Sequence, residues 1–267
     1  MLMSLIAILT DFGERDFYVA AMKAVIKNIC PSAEIIDITH QVRKWSILDA
    51  AYILSCCYDD FPKGTVFLVV VDPGVGTKRL PIAIKSRNYY WVAPDNGVAF
   101  TAAQRDGILE TRIIENEKLF WRKKSFTFHG RDIFAPTAAH LACGFDFEQI
   151  GNVLKNPVLV KEHGAKILEN GLVGYVVHID DFGNVALSIT DKQLSEVGIR
   201  YGDTVVVEIR EKKFNIPFVQ SFGKVRKESP LLLVNSCGKL EIAINQGNAA
   251  EVFSLSLGDK VKILKKG

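Results

Sequence analysis

The chain lacks the patterns that mark membrane and secreted proteins. No stretch approaches the roughly 20 consecutive apolar residues of a membrane-spanning helix. The apolar stretch Met1–Leu9 has no basic region and no cleavage site, and it continues directly into Thr10 and Asp11. We therefore expect a buried first strand here, not a signal peptide, and we expect no membrane partner.

Cysteine is scarce and follows no metal-binding or disulfide pattern. The chain has five cysteines: Cys30, Cys56, Cys57, Cys143 and Cys237. Their number is odd and none of them forms a C-x-x-C pair, so the sequence predicts neither a structural zinc site nor a disulfide framework. On this basis we expect a reducing, cytoplasmic setting.

Common nucleotide and hydrolase motifs are missing, and so is a strong charge of either sign. The sequence contains no GxGxxG, GxxxxGK(S/T) or GxSxG pattern. This removes support for a nicotinamide-dependent enzyme, a P-loop kinase and a hydrolase with a nucleophile elbow. The 33 basic and 30 acidic residues leave a net charge of only +3. Such a balance provides no strong field for a nucleic-acid partner.

The chain does contain enough apolar sequence for two cores, arranged in two different patterns. It has 267 residues, of which 48% are hydrophobic. In the first part, apolar strand-like runs alternate with helical patterns in the order β-α-β-α-β, which is typical of a parallel sheet flanked by helices. After the aperiodic stretch from Gly151 to Ala165, glycine-containing turns separate short strand-like runs, as in an antiparallel barrel or sandwich. We predict an α/β domain over residues 1–155 and a smaller antiparallel domain over residues 156–267.

Polar residues collect where predicted strands end. The run Val66–Val71 has no polar interruption, as is typical of a central parallel strand, and Asp72, two glycines and Arg79 follow it. Asp11 follows another predicted strand, and His129 follows an aromatic run. Ligands bind outside the carboxyl ends of strands in open α/β sheets, so these residues predict one site. A tight turn capped by Asp72 explains the same local pattern equally well.

Several motifs, taken together and in order, resemble those of one family. They are TDFG at residues 10–13, VDPGVG at 71–76, FHGRD at 128–132, DDFGN at 180–184, NSCG at 235–238 and NQGNAA at 245–250. The family is the S-adenosyl-L-methionine hydroxide adenosyltransferases, which form adenosine and are related to fluorinase and chlorinase. The resemblance covers nearly the whole chain.

The resemblance implies a fold, a reaction and an assembly. The fold is an N-terminal α/β domain with a mostly parallel sheet flanked by helices, followed by a C-terminal antiparallel β-barrel. The assembly is a homotrimer whose sites lie between the N-terminal domain of one subunit and the C-terminal domain of its neighbour. In the reaction, water attacks C5′ of the ribose of S-adenosyl-L-methionine (SAM), giving adenosine and L-methionine. SAM is the substrate, and the resemblance implies neither a cofactor nor a metal.

By the same resemblance, Asp72, Arg79 and His129 are a catalytic triad that holds and polarises one water. Which of the three accepts the proton is open: Arg79 stabilises developing hydroxide but weakens Asp72 as a base, which leaves His129 as a candidate acceptor. Gly130 stands where the fluorinase has a halide-binding serine, so no halide pocket is implied. Eight further residues match substrate-binding positions: Asp11, Asp16, Trp45, Phe128, Asp180, Asn184, Ser236 and Gln246.

Structural roles and two other functions stay open at the level of sequence. Asp180 has the form of an Asx turn, and Trp45 fits a core position. Cys237 stands where the fluorinase has an arginine for the methionine carboxylate, so the binding of that group is open. A non-catalytic nucleoside-binding protein is one alternative function. The other is a metal-dependent phosphoesterase, whose ligands would be Asp11, Asp72, Asp95 and His129.

Overall fold

The computed structural model describes residues 4–122, 125–160 and 164–266. The chain divides into two compact units, Met1–Val160 and Lys161–Gly267. No helix among the described residues is long and apolar enough to cross a membrane.

A six-stranded sheet in the order β2-β1-β3-β5-β4-β6 forms the centre of the N-terminal unit. The adjacent strands β2, β1, β3 and β5 pair in parallel, whereas β4 pairs antiparallel with β5 and β6. This confirms the prediction of a mostly parallel sheet. The strands are β1 Leu5–Thr10, β2 Glu34–Thr39, β3 Val66–Val70, β4 Pro81–Ser86, β5 Tyr90–Pro94 and β6 Ile108–Ile113.

Helices cover both faces of this sheet, which is why β1 and β3 are apolar throughout. Alternate residues of β1 enter different cores: Ile6 and Ile8 pack with two of the helices, while Ala7 and Leu9 pack with the other two. The first pair of helices is α1 Tyr18–Ile29 and α4 Ala135–Ala142, and the second pair is α2 Ile47–Cys57 and α3 Phe100–Asp106. Burial on both faces fixes β1 and β3 at the centre of the unit.

The helix ends agree with the sequence pattern at one place and differ at another. The pattern Ser46-Ile47-Leu48-Asp49 predicts a helix start, and the Ser46 hydroxyl accepts from the Asp49 amide at 3.4 Å at the beginning of α2. The sequence pattern predicts a helix from Ile133 to Cys143, and the structure confirms it as α4 except that its first two residues belong to a π-helical turn, Gly130–Phe134, that continues into α4. π turns are frequent at functional sites, and this one begins directly after His129.

A disulfide joins Cys30 and Cys143, with the Cα atoms 5.9 Å apart. The expectation that no disulfide forms is therefore wrong. The two cysteines are the residues that end α1 and α4, and these helices pack side by side. They are 113 residues apart in sequence, so only the packing of the two helices brings them together and no local spacing indicates the bond. Cys57 is a free, half-buried thiol.

The C-terminal unit is an antiparallel eight-stranded sheet that curls into a nearly closed barrel, which confirms the predicted fold class. Its order is β11-β10-β14-β8-β9-β13-β12, with β7 paired to β8. Near the two edges, the Val219 amide donates to the Leu232 carbonyl at 2.8 Å. The strands are β7 Lys166–Leu168, β8 Gly171–Ile179, β9 Val185–Thr190, β10 Thr204–Ile209, β11 Lys212–Pro217, β12 Pro230–Val234, β13 Lys239–Ile244 and β14 Lys260–Lys265, and the two short helices are α5 Asp191–Glu196 and α6 Ala249–Phe253.

Candidate active site

The carboxyl ends of β1 and β3 meet at one edge of the N-terminal sheet. The two strands are parallel, and Thr10 lies beside Val70 in the register. Asp11 follows β1 and Asp72 lies just beyond β3, so their carboxylates emerge at neighbouring points of that edge. Both side chains are buried, which concentrates negative charge where an open α/β sheet binds its ligands.

Arg79 bridges Asp72 and His129. Its Nε donates to Oδ1 and Oδ2 of Asp72 at 2.9 and 3.1 Å, and its Nη2 also donates to Oδ2. The same Nη2 lies 2.8 Å from Nδ1 of His129. The guanidinium lies over the ring of Phe134, 5.1 Å from the ring centroid. The structure thus brings together the three residues that the family resemblance groups.

The charges in this cluster determine which nitrogen of His129 carries the hydrogen. The Arg79 and Asp72 side chains are only 9% and 6% exposed, so each charge depends on the other for compensation. Because the guanidinium is always protonated and only donates, Nδ1 of His129 must be the acceptor of their contact. The neutral ring therefore carries its hydrogen on Nε2.

The loop between Asp72 and Arg79 is a compact turn that packs against the segment carrying His129. The Thr77 hydroxyl donates to the Gly74 carbonyl at 2.7 Å. Gly76 has a φ of +78°. A Cβ at this position would lie 2.9 Å from the carbonyl oxygen of Phe126, so only glycine permits so close an approach.

Asp132 anchors the segment that carries Phe128 and His129, and sequence reasoning assigned it no role. It is 1% exposed and accepts from the Ser125 amide at 2.9 Å and from Arg131 Nε at 2.7 Å. The Ser125 hydroxyl in turn accepts from the Phe128 amide at 3.1 Å. Burial acts to raise the pKa of Asp132, but the hydrogen bonds from Arg131 and Ser125 hold that pKa below its ordinary value.

Asp11 is held at the end of β1 by contacts from the segment that precedes α2. Its Oδ2 accepts from the Trp45 amide at 2.8 Å, and Lys44 Nζ donates to its carbonyl. The Trp45 side chain is 72% exposed, so within this chain it is not the core residue that one interpretation of the sequence suggests. Trp45 also has a φ of +63°, which directs its amide toward Asp11.

An aromatic cluster includes Phe12, which follows Asp11 in the chain, and Phe128, which precedes His129. The ring centroid of Phe128 is 6.0 Å from that of Phe12, 6.2 Å from that of Phe17 and 5.1 Å from that of Tyr18. The predicted binding residue Asp16 is exposed in the loop before α1, adjacent to this cluster in sequence. Because Phe128 directly precedes His129 in the chain, the cluster forms an apolar wall next to that residue.

The remaining four predicted binding residues line one cleft of about 950 Å³ in the C-terminal unit: Asp180, Asn184, Ser236 and Gln246. Asp180 forms the Asx turn that its sequence predicts, because its Oδ1 accepts from the amides of Phe182 and Asn184 at 3.0 and 2.8 Å. Its Oδ2 accepts from Nδ2 of Asn184 at 2.9 Å. The turn therefore fixes both predicted residues at the cleft wall.

A buried carboxyl in the same cleft, Glu241, is absent from the sequence-based assignment. Glu241 is 9% exposed, and burial raises the pKa of its carboxyl. Nδ2 of Asn235 donates to its Oε2 at 3.0 Å. The sequence does mark Glu241 as unusual, because it is the one acid inside the apolar strand Lys239–Ile244. A buried, unpaired charge is costly at such a position.

Asp95, a ligand in the phosphoesterase alternative, is engaged elsewhere. Its Oδ1 accepts from the Val158 amide at 2.9 Å, and burial raises its pKa. Across the described ranges, no three His, Cys, Asp or Glu side chains are arranged to hold a metal ion. The Arg79 cation also stands between Asp72 and His129, where a metal in that alternative would lie.

Comparison with protein families gives two matches that together cover most of the chain. Residues 6–151 match the SAM hydroxide adenosyltransferase N-terminal domain. Residues 174–262 match the C-terminal domain of the same name. The two matches fall on the two compact units in the order that the family resemblance implies.

Individual relatives are similar to the chain over nearly its full length. The protein named (R)-S-adenosyl-L-methionine hydrolase from Methanocaldococcus jannaschii is 34% identical, over 98% of this chain and 97% of that protein. The protein of the same name from Thermus thermophilus is 36% identical, over 96% and 98%. The crystal structure of an uncharacterized conserved protein from Thermotoga maritima is 43% identical with a TM-score of 0.93, over 97% of this chain and 100% of that one.

Proposed function

The chain belongs to the SAM hydroxide adenosyltransferase family, and on that premise we infer that it is an enzyme that hydrolyses SAM to adenosine and L-methionine. The observation that supports a site for this reaction is the Arg79 bridge between Asp72 and His129. It combines an acceptor, a fixed cation and an oriented imidazole in one buried group beside an aromatic wall.

We propose that the three residues hold one water, and their contacts support this arrangement. A carboxylate has about four lone-pair sites, and Arg79 uses three of them on Asp72, which leaves room for one more donor. The hydrogen on Nε2 makes His129 a donor at that atom. A water here donates to Asp72 and accepts from His129, and its remaining lone pair is directed at the substrate. Because Nδ1 of His129 already accepts from Arg79 and Nε2 carries a hydrogen, we propose Asp72 as the proton acceptor, although Arg79 lowers its basicity.

The chemical step is one displacement at carbon. The water oxygen forms a bond to C5′ as the bond between C5′ and sulfur breaks, and the electron pair of that bond leaves on sulfur. Methionine departs as a neutral thioether, so no general acid is needed. The water proton passes to Asp72 and then to solvent. Alignment of nucleophile and leaving group contributes several kcal/mol to such a reaction, on the order of 7 or more in well-oriented cases.

Isotope labelling tests this function. The purified protein is incubated with SAM in ¹⁸O-water and the products are followed by mass spectrometry. We expect one ¹⁸O atom in the 5′ hydroxyl of adenosine and unlabelled methionine. Unlabelled adenosine, a 5′-deoxy-5′-haloadenosine in the presence of halide, or a methylated product would each overturn the proposal.

We also propose a preference for the (R) epimer of SAM at sulfur, because the two relatives are named for that epimer. Turnover of the separated sulfonium epimers tests this preference.

Three further properties belong to the same proposal. We propose a homotrimer, which native mass spectrometry of the purified chain tests. We propose a metal-independent reaction, so turnover should persist in excess EDTA. We also propose a cytoplasmic location, in which the Cys30–Cys143 disulfide would be of the kind that intracellular proteins of hyperthermophiles contain.

A further inference from the structure

The turn that follows β5 holds both ends of the loop between Asp72 and Arg79. Nδ2 of Asn96 donates to the carbonyl of Val71, the residue before Asp72, at 2.9 Å. The amide of Asp95 donates to the carbonyl of Leu80, the residue after Arg79, at 2.8 Å. Two adjacent residues of one turn thus contact the chain on either side of the Asp72–Arg79 ion pair.

The Val71 carbonyl receives its hydrogen bond from a side chain. Strand β3 ends at Val70, so Val71 lies beyond the ladder of sheet hydrogen bonds. Val71 is fully buried, and a buried carbonyl without a partner is costly. The Asn96 amide supplies that partner, and it thereby fixes the peptide unit from which the Asp72 carboxylate projects.

The orientation of Asn96 is itself fixed. Its Oδ1 accepts from the Val98 amide at 3.1 Å, which leaves only the NH₂ group to face Val71. The following Gly97 has a φ of +90°, and a Cβ there would lie 2.5 Å from Cγ2 of Val160. The turn therefore packs closely against Val160, which restricts the movement of Asn96 relative to Val71.

We propose that Asn96 is a positioning residue for SAM hydrolysis, which acts by fixing the direction of the Asp72 carboxylate toward Arg79 and the reacting water. The inference rests on the proposed role of Asp72. It requires no contact between Asn96 and the substrate. Loss of the Val71 bond should therefore reduce the rate of the chemical step and leave substrate binding nearly unchanged.

Asn116 provides a matched control in the same unit. Its Nδ2 donates to the Gln149 carbonyl at 2.9 Å, and its Oδ1 accepts from the Lys118 amide at 3.1 Å. Like Asn96 it is half-buried. Asn116 begins the 3₁₀ turn Glu117–Leu119 and holds a carbonyl that is remote in sequence from every proposed site residue. The two asparagines therefore make the same local bonds in different surroundings.

The test compares Asn96→Ser with Asn116→Ser. A serine hydroxyl can still accept from the amide two residues on, but it is too short to replace the bond to Val71. We expect the kcat of Asn96→Ser to fall about tenfold to a hundredfold, because small misplacements of a reacting group have effects of that size. We expect KM to stay within about twofold of wild type, and Asn116→Ser to retain both constants.

Asn96→Asp is the second variant, because it keeps the shape of the side chain and the acceptor for Val98 while it loses the donor to Val71. It should show the same fall in kcat. If both Asn96 variants turn over like Asn116→Ser, or if the loss disappears when rates are expressed per folded enzyme, the proposal is overturned.

Combination with Asp72→Asn separates this inference from the function on which it rests. If Asn96 acts through Asp72, Asn96→Ser should cause no further loss of turnover in the Asp72→Asn background. An additive loss would show that Asn96 acts elsewhere and would overturn the inference alone. Normal turnover of Asp72→Asn by itself would instead overturn the proposed role of Asp72.

Discussion

At the scale of single residues, Arg79 determines what its two neighbours can do. It neutralises a nearly buried carboxylate and, because it only donates, it sets the tautomer of His129. Lysine offers no planar fork and could not make the contacts to both oxygens of Asp72 and to His129 at once. The chemistry proposed for the site therefore depends on one guanidinium holding two partners in fixed directions.

Removal of either partner should affect turnover more than binding. For Asp72→Asn and His129→Ala we expect kcat to fall by about 10² to 10⁴, the usual contribution of a positioned acid or base, with little change in KM. Steady-state kinetics with SAM measures both constants. His140→Ala, the same substitution on the adjacent helix α4, is the control and should retain turnover. Near-normal turnover of both site variants would remove these residues from the mechanism.

Gly130 tests the expected absence of a halide pocket. A Cβ at this position would lie 3.2 Å from Sδ of Met22 and 3.2 Å from Cε2 of Phe128. We expect Gly130→Ser to lower the free energy of unfolding by about 1 to 3 kcal/mol, the usual effect of overpacking, and to yield no haloadenosine in chloride. Denaturant unfolding and product analysis measure these effects. Gly164→Ser, where a Cβ would meet nothing within 4 Å, is the control, and haloadenosine from Gly130→Ser would contradict the expectation.

The sequence indicates the charged residues of the site but not the residues that hold them. Asp11 and Asp72 stand out because each follows a buried apolar strand. Asn96 could not be identified in this way, because its partner Val71 is 25 positions away and the bond depends on the sheet order. Asp132 was visible only as one acid in a polar run, and its role arises from contacts to Ser125 and Arg131 that follow from the π turn.

At the scale of elements, apolar strands could be predicted and irregular elements could not. The apolar runs of Thr204–Ile209 and Lys239–Ile244 predict strands with the observed bounds, because residues of both enter the core of the barrel. Lys212–Pro217 was missed because two lysines and an asparagine interrupt its pattern, and its pairing to β10 forms the strand. The π turn has no sequence period of its own, so the pattern there predicted an ordinary helix.

The disulfide between the ends of α1 and α4 should contribute to stability through the length of the loop it closes. Cys143→Ala breaks the bond at the exposed cysteine and leaves the buried Cys30 sulfur in place. For the 113-residue separation, the chain-entropy model predicts a loss of about 4 to 5 kcal/mol. Denaturant unfolding measures the loss, and Cys57→Ala, which removes a free thiol, is the control. Equal stability of Cys143→Ala and wild type would contradict this account.

At the scale of the whole molecule, the two units should respond differently to acid. Asp37, Asp106 and Asp132 lie in the N-terminal unit; burial acts to raise their pKa values, but hydrogen bonds outweigh it and lower them. Their contribution to stability is present above the unfolded pKa of about 4 and is lost as pH falls below it. Burial raises the pKa of Glu241, so its contribution increases as pH falls through its folded pKa. Burial also raises the pKa of Asp95 in the N-terminal unit, so its contribution to stability increases as pH falls, opposite to that of the other three acids.

We therefore expect the N-terminal unit to unfold first below about pH 4. The three tryptophans, Trp45, Trp91 and Trp121, all lie in that unit, so their fluorescence reports on it alone. Far-UV circular dichroism reports on both units. The fluorescence transition should occur at higher pH than the loss of the remaining circular dichroism signal, and coincident transitions would contradict the expectation. Asp132→Asn, which cannot titrate, should show a weaker dependence of unfolding on pH.

The disulfide also changes the topology of the polypeptide. Asp72, Arg79, Asn96 and His129 all lie between Cys30 and Cys143, so the site loop, the turn that holds it and the imidazole belong to one covalent ring. A single break of the backbone anywhere inside that ring leaves the two pieces covalently joined. An exposed loop of the N-terminal unit can therefore be cut without releasing any part of the triad, as long as the ring stays oxidised.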